Sequence, residues 1–103
     1  MSLSNAEKKS LRAIGHTLNP IVIIAQNGLS ENIRLELERA LKEHELIKVK
    51  LAIPDREAKK ALTDEICADF SAECVQSIGH VVLLYRAARK PDPKLSNIAR
   101  NKK

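Results

Sequence analysis

Hydrophobic and polar residues alternate along the chain with two different periods, which divide it into helices and strands. A helical spacing of apolar residues predicts one helix from Ser4 to between Gly15 and Leu18, a second over about residues 31–43, and a third over 55–70. Runs of β-branched and other apolar residues predict strands over 21–24, 46–53, about 74–78 and 81–85. The predicted order is therefore α-β-α-β-α-β-β.

This order predicts an α/β domain with a four-stranded mixed sheet. Helical crossovers between the first three strands imply that these strands run parallel, with right-handed connections. Gly79-His80 is short enough for a hairpin, with Gly first as a type II′ turn requires, so the last strand should run antiparallel. We expect the second and third helices on one face, and the pattern leaves the position of the first helix open.

The strands are expected to be buried to different degrees. Residues 21–24 form an all-apolar, β-branched run, as expected of a buried strand. Residues 81–85 are also apolar throughout, which predicts a central strand with both faces covered. In the strand 46–53, Lys48 and Lys50 alternate with aliphatic residues, so this strand should be half-buried with both lysines on the side away from the core.

A tight loop, Ala25-Gln26-Asn27-Gly28, joins the first strand to the second helix. Asn-Gly is a strong turn signal because Gly adopts a positive φ without steric cost, and Ser30 can cap the helix that follows. The N–H groups of the loop and of the first helical turn are expected to lack internal partners, which suits an anionic oxygen. The alternative is that the loop is only a turn, since a single Gly makes a weak phosphate motif.

The first predicted helix has a basic side. Leu11, Ile14 and Leu18 share one arc and predict its buried side. The basic ridge lies roughly opposite and consists of Lys8, Lys9, Arg12 and His16. Arg56 and Lys59, in the first turns of the third helix, are candidates for a secondary contact. For both helices the alternative is a cationic face that is merely solvated.

The net charge of +5 is unevenly distributed. Residues 1–86 hold twelve Lys/Arg and twelve Asp/Glu, whereas residues 87–103 hold six Lys/Arg and one Asp. We therefore divide the chain into a domain over residues 1–88 and a basic tail over 89–103, which we expect to be disordered. Such a tail is typical of a polyanion partner, although it can equally serve as a solubilising end.

Composition argues against several classes of function. One Phe, one Tyr and no Trp speak against aromatic platforms for stacked bases, so nucleic-acid contacts should rest on phosphates and shape. His16, His44 and His80 are scattered, no Ser or Cys has the context of a nucleophile, and Cys67 and Cys74 lack zinc spacing. We expect no enzyme, metal or cofactor. Without an apolar signal segment, the expected location is the cytoplasm, with reduced thiols.

Several segments together resemble the bacterial YhbY-like, single-domain form of the CRM (chloroplast RNA splicing and ribosome maturation) RNA-binding module. The resemblance covers about residues 3–86, with segments in the family's order. It is carried by Leu11-Arg12-Ala13-Ile14-Gly15-His16, Leu18-Asn19-Pro20, Asn27-Gly28-Leu29-Ser30, His44-Glu45-Leu46-Ile47-Lys48-Val49-Lys50, Asp55-Arg56-Glu57 and Val82-Leu83-Leu84-Tyr85-Arg86. It implies a fold similar to the C-terminal domain of bacterial initiation factor three. It also implies association, without catalysis, with ribosomal RNA in precursors of the large subunit. We expect the protein to be a monomer.

The family's mark is a Gly-x-x-Gly loop whose amides approach the RNA backbone. Here Ala25 replaces the first glycine, and the loop carries no Lys or Arg. Because Ala disfavours positive φ, the loop's entry must use an ordinary backbone conformation, and more of the binding should fall to the helix-one ridge and the tail. The residues expected to contact RNA are Lys8, Lys9, Arg12, His16, Ala25, Gln26, Asn27, Gly28, Arg56 and Lys59. The alternative function is a protein–protein adaptor that docks through the acidic second helix or the tail.

Overall fold

The computed structural model describes residues 3–26, 28–87 and 96, and its elements follow the predicted order. The three helices and four strands are α1 (Asn5–Gly15), β1 (Pro20–Ile24), α2 (Glu31–His44), β2 (Leu46–Leu51), α3 (Arg56–Phe70), β3 (Glu73–Ile78) and β4 (Val81–Tyr85). The predicted caps are present. The Ser4 hydroxyl accepts from Glu7 N at 3.1 Å while the Glu7 carboxylate accepts from Ser4 N at 3.0 Å, and Ser30 and Asp55 cap α2 and α3.

The four strands form one mixed sheet in the order β1-β2-β4-β3. β1 runs parallel to β2, while β4 runs antiparallel to both of its neighbours, β2 and β3. β3 therefore points the same way as β1 and β2, and β4 is inserted between β2 and β3. This confirms the predicted mixed sheet and the central place of β4, whose three middle residues are buried.

The hairpin between β3 and β4 has the predicted two-residue turn. Ile78 pairs with Val81, and Gly79 has a φ of +57° whereas His80 has no positive φ, as a type II′ turn requires. The carbonyl of His80 accepts the N–H of Leu51 at 2.6 Å. The hairpin is therefore tied to the end of β2.

The first face of the sheet is covered by α2 and α3, as predicted. Both helices contribute to one continuous apolar cluster with the alternate residues of the strands. The buried members of this cluster are Val22, Ile24, Leu37, Ala40, Leu41, Ile47, Val49, Leu51, Ile53, Leu62, Ile66, Phe70, Val82 and Leu84. This cluster is the main hydrophobic core.

The second face is covered only in part, by α1. Leu11 packs there in a smaller cluster with Leu46 and Leu83. The helix approaches the sheet closely at Gly15, where a Cβ would lie 2.6 Å from Cδ2 of Leu83. The entry to the helix is held by Leu3 N, which donates to the Glu73 carboxylate at 2.9 Å. The sequence pattern did not predict where the first helix packs, and the structure shows that α1 packs on the second face.

The expectation that β1 is a buried strand is wrong. β1 lies at the edge of the sheet, and its burial alternates: Val22 and Ile24 are buried, whereas Ile21 is 49% and Ile23 is 60% exposed. The reason is that α1 packs against β2 and β3 and leaves this end of the second face open. An all-apolar run shows that a residue tolerates burial, but it does not show that a neighbour covers it.

Arg86, directly after β4, links the end of the sheet to both covering helices. Its guanidinium donates to the Glu38 carboxylate on α2 at 2.7 Å and to the carbonyl of Phe70 at the end of α3 at 3.3 Å. The hydrogen bond from Arg86 holds the pKa of Glu38 below its ordinary value. Arg34 adds a second link between the helices, because it pairs with Asp69 of α3 at 3.1 Å.

Most of the predicted tail lies outside the described residues, so its expected disorder and the domain boundary stay predictions. Ser96 is the one described residue of this segment, and it is fully buried. Its hydroxyl donates to the carboxylate of Glu45, the buried residue between α2 and β2. The composition of residues 89–103 suggests a solvated segment, but Ser96 is buried. At Ser96 this segment contacts the domain.

Candidate nucleic-acid interface

The predicted basic ridge lies on the outer side of α1, away from the sheet. Lys9 and His16 are exposed, while Lys8 and Arg12 are half-buried. Leu11 on the opposite side is buried against the sheet. The helix is therefore held by its apolar side and presents its cations to solvent.

The loop after β1 and the start of α3 lie together at the end where β1 and β2 finish. Ala25 follows Ile24, which pairs with Leu51, and α3 begins five residues after Leu51. Ala25 and Gln26 are exposed, and Gly28 has a φ of +70° with open space where a Cβ would stand. Asn27 lies outside the described residues.

The loop offers fewer backbone donors than the strand–turn–helix pattern predicted. The N–H of Gly28 donates to the carbonyl of Ala25 at 2.9 Å, and that of Ser30 donates to Gly28 at 3.1 Å. The N–H of Ile33 is satisfied by the Ser30 hydroxyl at 3.2 Å. The expectation that these amides lack internal partners is therefore wrong for these three, because the turn and the cap use them.

A cleft opens between the first turns of α3 and the β3–β4 hairpin. Its volume is about 530 Å³, and three cationic side chains contribute to its lining: Arg56, Lys59 and Lys60. Lys59 donates to the carbonyl of Gly79 at 3.3 Å, and Lys60 pairs with Asp64 at 3.4 Å. Of the three, Arg56 is left available to an external anion.

The described cations divide into two groups by their partners. Four cations, on α2, on α3 and directly after β4, form ion pairs with carboxylates of α2 or α3: Arg34, Arg39, Lys60 and Arg86. The other cations form no ion pair with any residue that the structure describes: Lys8, Lys9, Arg12, Lys42, Lys48, Lys50, Arg56 and Lys59. The charge of this second group is free to attract an external polyanion.

Lys48 and Lys50 are absent from the predicted site, although the sequence contained the signal for them. Their alternation with buried residues placed both on the side away from the core, and that side is the half of the second face that α1 leaves open. Lys48 pairs across to Leu83, which lies beneath α1, and Lys50 pairs with Ile23, two residues before the loop. The two lysines therefore lie between the ridge and the loop, which are otherwise on different parts of the molecule.

The two cysteines of the described chain are half-buried free thiols. Burial raises the pKa of the Cys67 thiol to about 11 and also raises that of Cys74, so both remain protonated at neutral pH. Within the described residues, no three His, Cys, Asp or Glu side chains are grouped so that they could hold a metal ion. Among the same residues, no helix has the length and apolar character that a membrane crossing requires.

Comparison with known proteins identifies the family to which this chain belongs. The model of the CRS1 / YhbY (CRM) domain matches residues 3–86, which include all of the described helices and strands. A Pseudomonas aeruginosa protein named a probable RNA-binding protein is 52% identical over 100 residues, which cover 97% of this chain and 96% of the relative. A Haemophilus influenzae protein named an RNA-binding protein is 44% identical over 89 residues, covering 86% and 90% of the two chains.

A solved structure shares the fold. The solution structure of a hypothetical protein from Staphylococcus aureus, described as a candidate RNA-binding protein, matches with a TM-score of 0.75 and 30% sequence identity. The match covers 86% of this chain and 93% of the other. The arrangement of three helices on a four-stranded mixed sheet is thus found in an experimentally determined relative.

Proposed function

Because this chain belongs to the CRS1 / YhbY (CRM) domain family, we propose that it is an RNA-binding protein that holds the RNA by its phosphate backbone and catalyses no reaction. The ridge of α1 supplies the largest group of contacts. The Ala25–Gly28 loop and Arg56 supply contacts at the far end of the sheet, and the basic tail adds attraction that does not depend on sequence.

The observation that carries this proposal is the division of the cations into paired and free groups. α2 and α3 together hold eight Asp/Glu against six Lys/Arg, and three of these cations, Arg34, Arg39 and Lys60, pair with carboxylates, so that side offers little positive field. The cations that form no ion pair with a described residue lie on α1, on β2 and in the first turn of α3, with Lys42 near the end of α2 as the exception. A phosphate backbone gains most where positive charge is not already neutralised, because each contact then releases a condensed counterion.

The resemblance supports a more specific proposal: the RNA is ribosomal RNA in precursors of the large subunit, and the protein acts on it as an assembly factor. We propose further that it does so as a monomer in the cytoplasm. Recovering the RNA cross-linked to the protein in cells, and sequencing it, would test this part. Fragments that map outside large-subunit ribosomal RNA would contradict it and leave RNA binding itself intact.

The ridge provides the main test of RNA binding. Replacing Lys8, Lys9 and Arg12 together by Gln should leave folding intact, because none of the three is buried or forms an ion pair with a described residue. RNA affinity should fall, and the slope of log affinity against log salt should flatten by up to about 2.7 units if each cation displaces roughly 0.9 counterion. Fluorescence anisotropy with a labelled RNA at several salt concentrations measures both.

A matched control removes the same charge from the paired group. The triple change Arg34→Gln, Arg39→Gln, Lys60→Gln alters the net charge by the same amount on the side of α2 and α3. It should leave the salt slope nearly unchanged. If both triple variants weaken binding equally, net charge rather than the ridge determines affinity. If binding by the parent is insensitive to salt, the adaptor function is favoured instead.

The loop provides a second, smaller test. Gln26→Glu adds one negative charge with little change of shape, and beside a phosphate it should cost about 1 kcal/mol of binding free energy at moderate salt. Gln26→Lys should strengthen binding by a similar amount. Gly28→Val is the contrasting control, because a β-branched residue at a φ of +70° should destabilise the fold itself. If both Gln26 variants bind like the parent at low salt, the loop is only a turn.

A further inference from the structure

The half of the second sheet face that α1 leaves open carries two rows of side chains that cross the strands. The strand pairing places Ile23, Lys50, Val81 and Ile78 directly beside one another, one from each strand. With neighbouring strands about 4.8 Å apart, this first row is roughly 14 Å long. It ends next to the Ala25–Gly28 loop, since Ile23 lies two residues before Ala25.

The second row lies beside the first, towards α1. It contains Pro20, Lys48, Leu83 and Gln76, which are paired across the sheet in that order. Between the rows there is a shallow groove of about 240 Å³, lined by residues of both rows. The open half-face is thus a continuous surface from α1 to the loop.

This open half-face holds most of the large hydrophobic side chains that the described chain exposes. Ile23 and Ile78 of the first row are 60% and 65% exposed. Ile21, at the register shift of β1 between Pro20 and Val22, is 49% exposed, and the remaining one, Leu35, lies on α2. Single exposed apolar residues are ordinary, but a group of them beside a groove marks a surface that contacts a ligand. The apolar side chains of the half-face are therefore available for binding.

The charges of the half-face restrict what can cover it. Lys48 and Lys50 are its charged members, and neither of the two rows includes a carboxylate. A second copy of the chain placed face to face would bring like charges together. The chain's own tail is also an unfavourable partner, because residues 87–103 carry six Lys/Arg against one Asp. The surface is complementary to a partner that is both apolar and negatively charged.

We propose that the open half-face binds unpaired nucleotides of an RNA, with the faces of the bases on Ile21, Ile23 and Ile78 and the phosphates beside Lys48 and Lys50. This inference rests on the proposed RNA-binding function and extends it to the bases. Aliphatic side chains can bury the apolar face of a base without an aromatic ring, so the scarcity of aromatic residues does not exclude such contacts.

The proposed base contacts predict a preference that phosphate contacts alone do not give. In duplex RNA the base faces are hidden within the stack, whereas in single strands and loops they are accessible. The ridge of α1 contacts phosphates in either form. The open half-face should therefore make the protein prefer unpaired over paired RNA.

The test removes the apolar contacts without changing charge. The double variant Ile23→Ser, Ile78→Ser is compared with Leu35→Ser, a control that loses an equally exposed side chain on α2. Three probes are used. The first is an unstructured RNA of about 12 nucleotides, a length within the site sizes of small single-strand-binding domains. The second probe is an abasic strand of the same length, and the third is a duplex hairpin with as many phosphates.

The double variant should bind the unstructured RNA about tenfold more weakly, which is about the effect of no longer burying one aliphatic side chain. Its affinity for the abasic strand and for the duplex, and its salt slope, should equal those of the parent. Leu35→Ser should bind all three probes like the parent. The variant Lys48→Gln, Lys50→Gln should instead flatten the single-strand salt slope by about 1.4 units.

The outcomes separate this inference from the function on which it rests. If the parent binds none of the probes, RNA binding itself is refuted. If the parent binds and the double variant binds unstructured RNA equally well, only the base contacts are refuted. If the parent sediments as a dimer and the double variant as a monomer, a second copy covers the half-face and the inference is wrong. Thermal melting of each variant establishes that it is folded.

Discussion

The two faces of the sheet are built from similar strands but have different neighbours. On the first face, α2 and α3 cover the sheet and form a continuous core. On the second face, α1 covers one half, and the other half leaves Ile21, Ile23 and Ile78 in solvent. Fully covered sheet faces stabilise the fold, whereas the open half contributes little to stability and remains available for contacts.

The comparison shows that apolar character and burial are separate properties. β1 and β4 have the same all-apolar composition, yet β4 is buried and β1 alternates between buried and exposed positions. The difference comes from strand order, which places β4 inside the sheet and β1 at its edge. Strand order is in turn set by crossovers and pairings between residues far apart in the chain.

The largest expected effect is on the first face. Leu41→Ala removes a fully buried side chain from between α2 and the sheet, and it should lower the free energy of unfolding by about 2–5 kcal/mol. Ile23→Ala, on the open half of the second face, should change it by no more than about 0.5 kcal/mol. Urea denaturation measures both, and similar losses for the two variants would remove the distinction between the faces.

An intermediate effect is expected where α1 meets the second face. Ala is normally preferred to Gly in a helix by about 1 kcal/mol, so Gly15→Ala would stabilise α1 if the helix were isolated. Here the added Cβ would lie 2.6 Å from Cδ2 of Leu83, and we expect a net loss of about 1–3 kcal/mol.

The control for this variant is Ser10→Ala, at an exposed position of the same helix, which should be neutral or slightly stabilising. Denaturation curves of the two variants distinguish packing from propensity. A gain in stability for Gly15→Ala would show that α1 is not held as closely as Leu83 requires.

The smallest expected effect concerns the ion pair between Arg86 and Glu38 at the end of the first face, and it depends on pH. The hydrogen bond from Arg86 lowers the pKa of Glu38 in the folded protein, so the folded state favours the charged carboxylate. The resulting stability is present at neutral pH and is lost as the pH falls from the ordinary carboxylate pKa through the lowered one.

Because about half of the Glu38 side chain is exposed, solvent should limit this contribution to less than about 1 kcal/mol. Glu38→Gln should therefore be slightly less stable than the parent at pH 7 and equal to it in acid. Glu36→Gln, on an exposed position of the same helix, is the control. A deficit for Glu38→Gln that persists in acid would indicate lost packing rather than lost charge.

The features that the sequence predicted well are those determined by neighbouring residues. The capping box at Ser4 and Glu7 needs only residues three apart, and the alternation around Lys48 needs only the strand itself. The loop amides could also have been predicted, because a turn that ends at Gly28 normally uses its N–H for the bond to Ala25. These features depend on local geometry, which the sequence expresses directly.

The remaining features depend on contacts between distant residues. The exposure of Ile23 depends on where α1 docks, and α1 docks on strands that follow it by thirty or more residues. Gly15 was the available signal, since a Gly in the last turn of an amphipathic helix can indicate close packing, but it does not identify Leu83 as the neighbour. For the same reason the contact between Ser96 and Glu45 has no signature in the sequence around either residue.

The docking of α1 also has a consequence for how the protein is made. α1 is synthesised first, but its anchors at Glu73 and Leu83 are about 70 residues later, which at 5–20 residues per second is a delay of roughly 4–14 s. During that time a helix of 11 residues is not stable alone in water. The ridge of α1 can therefore take its final shape only after β4 has left the ribosome, so this surface forms later than the helix that carries it.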